Sequence, residues 1–347
     1  LHFGVNVEMY WDYDDVTTVR RELEAVIHEA SVARFSRSSR AKKIEQLTLP
    51  PNFDGYRNPL PFLLFKSNLL NLKKLGIPGF GAEVSMLEIE QVVRDYCPNL
   101  RHLECPSLRS MREGAGQTVC AFIRGCSGLE SFMSESVNDA LPVFLELVSR
   151  HHSTLEAIDI RSERVFSRDL QPILSRCKQL KRFWALSDPW IGSISTLAYG
   201  DIAQGDWVCT ELRELGLTVN RGRPERDASD EQEEWKVGSD GSHVCSDTCR
   251  CIPKRAFQQI GRMKNLEVLT IAIDRRYRAG ATEDEYALDL TLSNGWLREL
   301  AGLKRLKSFR LRADFWRAMG QAEVEFMHEH WPLLNEVTIW CQMSSFQ

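Results

Sequence analysis

The sequence contains no run approaching the ~18 uninterrupted apolar residues that a membrane-crossing helix requires. It begins at Leu1, and no basic stretch, apolar core and small-residue cleavage site comes after it, so nothing marks the chain for secretion. An excess of positive charge is also lacking: 44 Lys and Arg stand against 48 Asp and Glu, for a net charge of −4 and a pI near 6.1. Neither nucleic acid nor an anionic membrane surface is therefore expected as a partner. Cysteine is too sparse, at 10 in 347 residues, for a disulfide-stapled secreted scaffold. A reducing compartment, cytoplasm or nucleus, is the expectation.

Catalytic patterns are missing too. Gly76, Gly79 and Gly81 do not make a dinucleotide fingerprint, because no matching acidic residue follows a strand-turn-helix unit. Asp188, Asp201 and Asp206 are scattered beside Trp190 and Trp207 rather than paired for acid–base work. No enzyme activity and no cofactor are expected.

What the chain does have is internal repetition. A leucine, two variable residues, an apolar residue, one variable residue and a further small or apolar residue recur along its length. Clear copies are Leu72, Leu75 and Ile77; Leu100, Leu103 and Cys105; Leu155, Ile158 and Ile160; Leu212, Leu215 and Leu217; Leu266, Leu269 and Ile271; Leu306, Phe309 and Leu311; and Leu334, Val337 and Ile339. Weaker copies start at Ile44, Leu129 and Leu180. The intervals between leading residues are 28, 28, 29, 26, 25, 32, 54, 40 and 28. Such spacing turns one side of a short strand into a core while the residues between point outward. Ahead of each strand runs helical periodicity, as in Leu87, Ile89, Val92, Val93 and Tyr96, or Leu141, Val143, Phe144, Leu147 and Val148. The expected fold is α/β: a right-handed, curved leucine-rich-repeat solenoid of about ten units over residues 44–347. Its parallel strands would line the concave face and its helices the convex one.

Three residues before the leader, a recurrent core filler appears: Cys97, Cys126, Cys177 and Cys209, then Met263, Leu303 and Trp331. Cysteine there acts as a small hydrophobe. His152 stands in the same register and reads as a packed core histidine.

Segments such as Tyr96-Cys97-Pro98-Asn99-Leu100-Arg101-His102-Leu103 resemble the cysteine-containing, ribonuclease-inhibitor-like repeats of F-box proteins. The C-terminal part is similar to a fungal F-box-like group in three stretches, residues 287–292, 300–304 and 322–327, with His330-Trp331-Pro332 closing a helix. This resemblance implies an F-box that recruits a Skp1-type adaptor of a cullin ubiquitin ligase, with the repeats choosing the protein substrate. Residues 1–43 lack the apolar-helix pattern of an F-box. The segment Trp11-Asp12-Tyr13-Asp14-Asp15 resembles the stretch that relatives carry just after their F-box, so residues 1–43 read as a cap or a post-F-box segment. The adaptor is then a partner only if an F-box lies upstream.

The longest interval holds an insert at 221–251 that is rich in acid: Glu225, Asp227, Asp230, Glu231, Glu233 and Glu234. It reads as a solvated loop. His243, Cys245, Cys249 and Cys251 are of zinc-ligand type, but one tight cluster departs from the two separated pairs that a tetrahedral site favours. They are weak metal candidates, and the expectation is no metal.

Strand parity names the outward residues: Lys74, His102, Glu104, Met133, Asp159, Arg161, Arg182, Trp184, Arg310, Arg312 and Trp340. Tryptophan and arginine dominate interface hot spots. Trp184 with Asp159, Arg161 and Arg182, and Trp340 with Arg310 and Arg312, are therefore the expected partner-binding groups, with His102 and Glu104 beside them.

Overall fold

The leading residue of each repeat sets where its strand begins. A computed structural model describes residues 45–48, 69–76, 86–105, 115–134, 140–160, 164–165, 167–186, 194–195, 197–220, 247–273, 290–293, 295–312 and 319–340. The chain forms two compact units, Leu1–Arg164 and Val165–Gln347. Ile44, Arg161, His243 and Cys245 lie outside the described residues, as does the acidic run 225–234.

In the first unit five short strands, β1 (Gln46–Thr48), β2 (Lys74–Gly76), β3 (His102–Cys105), β4 (Ser131–Ser134) and β5 (Ala157–Ile160), pair in order and in parallel. Helices α1 (Met86–Tyr96), α2 (Ala115–Gly125) and α3 (Ala140–His151) precede β3, β4 and β5. The second unit begins with helix α4 (Ser167–Arg176) and strand β6 (Arg182–Ala185). Then come α5 (Tyr199–Gln204), β7 (Glu214–Asn220), α6 (Asp247–Gly261) and β8 (Val268–Ile273), and after them β9 (Ser308–Arg312), α7 (Gln321–His330) and β10 (Glu336–Trp340). Strands β6 to β10 are again parallel and paired in sequence order. A 3-10 turn, Leu297–Leu300, replaces the helix before β9. Each of these ten strands starts two residues after its leader, including those led by Ile44, Leu129 and Leu180, whose sequence signal is weaker. Both units are leucine-rich-repeat solenoid segments.

The registers keep equivalent positions adjacent, which stacks the core residues in rows. Leu47, Leu75, Leu103, Phe132 and Ile158 form one row in the first unit. Phe183, Leu215, Leu269, Phe309 and Val337 form its counterpart in the second. Leaders Leu72 through Leu306 are fully buried, each contributing about 1.5–3 kcal/mol of apolar burial. The expected filler positions are buried as well: Cys97, Cys126, Cys177, Cys209, Met263, Leu303 and Trp331. The four cysteines are free thiols.

Two polar devices join successive rungs. At the start of each strand after the first of its unit, one carbonyl of the preceding rung accepts two backbone N–H groups, as when Lys73 O takes Arg101 N–H and His102 N–H, both at 2.8 Å. Glu130 O, Arg213 O and Lys307 O do the same for the rungs after them. The residue just before a leader adds a side-chain bond: Asn99 Nδ2 donates to Leu70 O and Asn265 Nδ2 to Thr210 O. These bonds satisfy backbone groups at the bend between helix and strand, where no ladder partner exists.

One sequence expectation is corrected. Helix α3 ends at His151, and it is His151, not His152, that is buried. Leu129 N–H donates to His151 Nδ1 at 3.2 Å, which leaves the ring proton on Nε2 to donate to Ile123 O at 2.9 Å. His152 is exposed, its Nδ1 3.1 Å from Val148 O. The helix ends four residues before its leader, as α1, α2 and α4 do, and in the turn that follows Thr154 and Leu155 both donate their N–H groups to His151 O.

Candidate functional site

The face of each sheet turned away from the core carries the residues at the third and fifth positions after each leader, counting the leader as the first. In the first unit the fifth-position row runs Gly76, Glu104, Met133, Asp159, and the third-position row runs Lys74, His102, Ser131, Ala157. Lys74 Nζ meets Glu104 Oε1 at 2.7 Å, a diagonal pair across neighbouring strands. His102, Met133 and Asp159 are half-buried on this face.

The second unit has the more structured face. Its third-position row is Arg182, Glu214, Val268, Ser308 and Glu336, and its fifth-position row is Trp184, Gly216, Thr270, Arg310 and Thr338. Trp184 Nε1 donates to Glu214 Oε2 at 3.2 Å, and Arg182 Nε lies 3.2 Å from the same oxygen. The Arg182 guanidinium also sits 5.7 Å from the Trp184 ring centroid, within cation–π range. Opposite the indole stands Gly216, and a Cβ there would come within 2.9 Å of Trp184 Cε3. Trp184 can lie over the next strand because that strand has a glycine at this position. The result is a half-buried aromatic surface held by a shared carboxylate.

Three strands further along, Arg310 binds Glu336 through both ends of its guanidinium, Nε to Oε1 at 3.0 Å and Nη2 to Oε2 at 2.8 Å. Ser308 Oγ and Thr338 Oγ1 donate to the same carboxylate at 2.8 and 3.1 Å. Arg310, then Ser308, hold the Glu336 carboxyl at a pKa of about 2. The arginines Arg182 and Arg310, which sequence parity offers as projecting cations, are thus each neutralised within the sheet. Glu214 and Glu336, which do the neutralising, were missed by sequence reasoning, although both stand two residues after a leader, as Arg182 does. Between the two clusters Thr270 is buried, and its hydroxyl has no hydrogen-bond partner among the described residues.

Asp159 stands on β5 in the first unit, whereas Arg182 and Trp184 stand on β6 in the second. Arg312 and Trp340 occupy strand positions on β9 and β10. Cys249 and Cys251 stand two positions apart in the sequence of α6. Among the described residues no group of three or more His, Cys, Asp or Glu is placed to hold a metal.

Elsewhere the chemistry is that of packing. Burial pushes the thiols of Cys97, Cys105, Cys126, Cys177 and Cys209 up to about 12, so they stay protonated at neutral pH. On the helix side of the first unit an open groove of about 500 Å³ is lined by Met86, Cys120, Pro142 and Leu145, together with Arg124 and Glu146. Arg124 is occupied there by Glu90 at 3.1 Å and Glu146 at 3.6 Å. No helix among the described residues is long and apolar enough to cross a membrane.

No protein-family model matches the chain, and no curated protein matches it. Among solved structures, the chain is similar to the leucine-rich repeat-containing protein LegL7 from Legionella pneumophila, at 11% identity and a TM-score of 0.39, over 90% of this chain and 87% of that one.

Proposed function

We propose that the chain is a protein-interaction scaffold that holds a protein partner on the strand face, with no chemistry of its own. The observation that carries this reading is the Arg182–Trp184–Glu214 cluster. A large aromatic is held there by a hydrogen bond and a cation–π contact at a position where the core does not need it. Rigid aromatic and arginine groups of this kind lose little entropy on binding and make the strongest interface anchors. The resemblance to F-box proteins extends the reading to the substrate-recognition part of a ubiquitin-ligase receptor in a reducing compartment, cytoplasm or nucleus. The Skp1-type adaptor would then be recruited by an F-box outside this chain.

The test is to capture partners with the chain from a reducing extract, identify one, and measure its affinity for purified variants. Trp184→Ala weakens binding by about 2 kcal/mol or more if the strand face is the interface. Removing residues 225–234 mainly alters the association rate and its salt dependence. Unchanged affinity for Trp184→Ala with binding lost on the deletion would move the interface to the acidic segment. Co-purification of a Skp1-type adaptor with the full-length protein separates the ligase reading from a leucine-rich-repeat adaptor unrelated to ubiquitin. Stoichiometric zinc in the purified protein would instead favour an activity at His243, Cys245, Cys249 and Cys251.

A further inference from the structure

The last rung of the second unit exposes residues that every earlier rung buries. Phe309, in the core row of β9, is 0% exposed, whereas Val337, its partner on β10, is 44% exposed. Leu334 and Ile339 are half-buried where Leu306 and Leu311 are fully buried, and Leu333 beside them is exposed. Fraying does not account for this. Trp331 anchors the rung: it is buried, its Nε1 donates to Leu300 O at 3.0 Å, and its ring packs edge-on against Phe309 at 5.2 Å. Among the described residues the rung is docked on one side, and Val337 and Leu333 are exposed on the other.

Among the described residues β10 pairs only with β9. Glu336 N–H donates to Lys307 O, so backbone alternation turns Glu336 and Thr338 toward β9 and leaves the N–H and C=O groups of Val337 and Ile339 on the free side. Edge strands are normally guarded by lysine, proline or a free charge. Glu336-Val337-Thr338-Ile339 has no lysine or proline, and the carboxylate of Glu336 is tied down by Arg310. Three β-branched residues in a row favour extended pairing.

We propose that this edge is a homodimer interface, in which β10 of one copy pairs antiparallel with β10 of a second about a two-fold axis at Thr338. That register sets Val337 opposite Ile339 of the other copy, and the reverse. Both are the residues whose backbone groups face outward, so each pair exchanges two hydrogen bonds while its apolar side chains cover one another. The arrangement is self-complementary and closes at two copies. Head-to-tail stacking on the first strand of a second copy is disfavoured, because Leu47, the core residue of β1, is only 8% exposed and leaves little apolar surface to match Val337.

The contact is independent of the strand-face interface. Its test is the mass of the chain in solution, measured by sedimentation or light scattering from about 1 to about 100 µM, since association follows mass action. The expected result is a concentration-dependent rise from 39.8 kDa to twice that value and no further. Val337→Lys and the milder Val337→Thr weaken dimerisation, the lysine by at least about tenfold because it sets an unpaired charge into the contact. Ile339→Pro, which removes an outward N–H group, does the same. Leu145→Lys, on the exposed helix side of the first unit, leaves the dimer intact, and thermal melts confirm that each variant is folded. A monomer throughout the range, growth beyond two copies, or a dimer that survives both Val337→Lys and Ile339→Pro would overturn the proposal.

Discussion

Phe309 and Val337 hold the same place in successive rungs, each three residues after a leading leucine and each in a strand that begins two residues after that leader. Water does not reach the first, and nearly half of the second is open to it. The repeat spacing therefore specifies which residues point toward the core, but a neighbouring rung is what makes that direction a buried one. The pair His151 and His152 shows the same thing within one helix end. One ring is wedged between Leu129 N–H and Ile123 O of the rung before it, while the other faces outward from the same turn.

The largest effect that could break this comparison is on stability. Phe309→Ala should cost about 3–5 kcal/mol, because it leaves a cavity in a fully packed row. Val337→Ala, measured at concentrations too low for self-association, should cost under about 1 kcal/mol, as exposed substitutions do. Denaturant midpoints for the two variants check this, and equal losses would mean that Val337 is covered in solution. A smaller effect separates the two histidines. Burial lowers the pKa of His151 below its ordinary 6.5, despite the bond to Ile123 O. The unfolded chain therefore takes up a proton first, and stability should fall as pH drops below about 6.5 toward the lower folded value. His151→Gln should lose that slope, and His152→Gln should keep it. The smallest effect belongs to Glu336, whose folded pKa of about 2 lies under the ordinary 4.5. Its pairing stabilises the fold above pH 4.5 and fades as pH falls toward 2, and Glu336→Gln should flatten this part of the acid-unfolding curve.

The strand starts could be read from the chain because each depends on local spacing: Leu129 and Leu180, with thinner patterns than Leu100 or Leu266, still place β4 and β6 two residues later. Cys97, Cys126, Cys177 and Cys209 were legible as core fillers for a similar reason, since a fixed offset from the leader puts each at the end of its helix. The site was legible only in part. Outward parity named Arg182, Trp184 and Arg310, but not their partners Glu214 and Glu336, which lie 32 and 26 residues away along the chain and become adjacent only when rungs stack. Nor did it show that the Trp184 ring comes close to the next strand, which depends on the missing side chain of Gly216 in that rung.

What the sequence by itself determined is therefore periodic: the number and starts of the rungs, the inward and outward sets of residues, and the acidic interruption between Leu212 and Leu266. Each comes from an apolar residue at a fixed interval, and a strand needs nothing more to have a core side. What only the tertiary structure decided is everything that depends on a neighbour. His151 rather than His152 is buried, Arg182 and Arg310 on the strand face are paired instead of free, and Val337 is left uncovered. The physical reason is that burial, ion pairing and ring placement are set by contacts between residues about 26–32 positions apart, and one repeat, taken alone, contains only half of each contact.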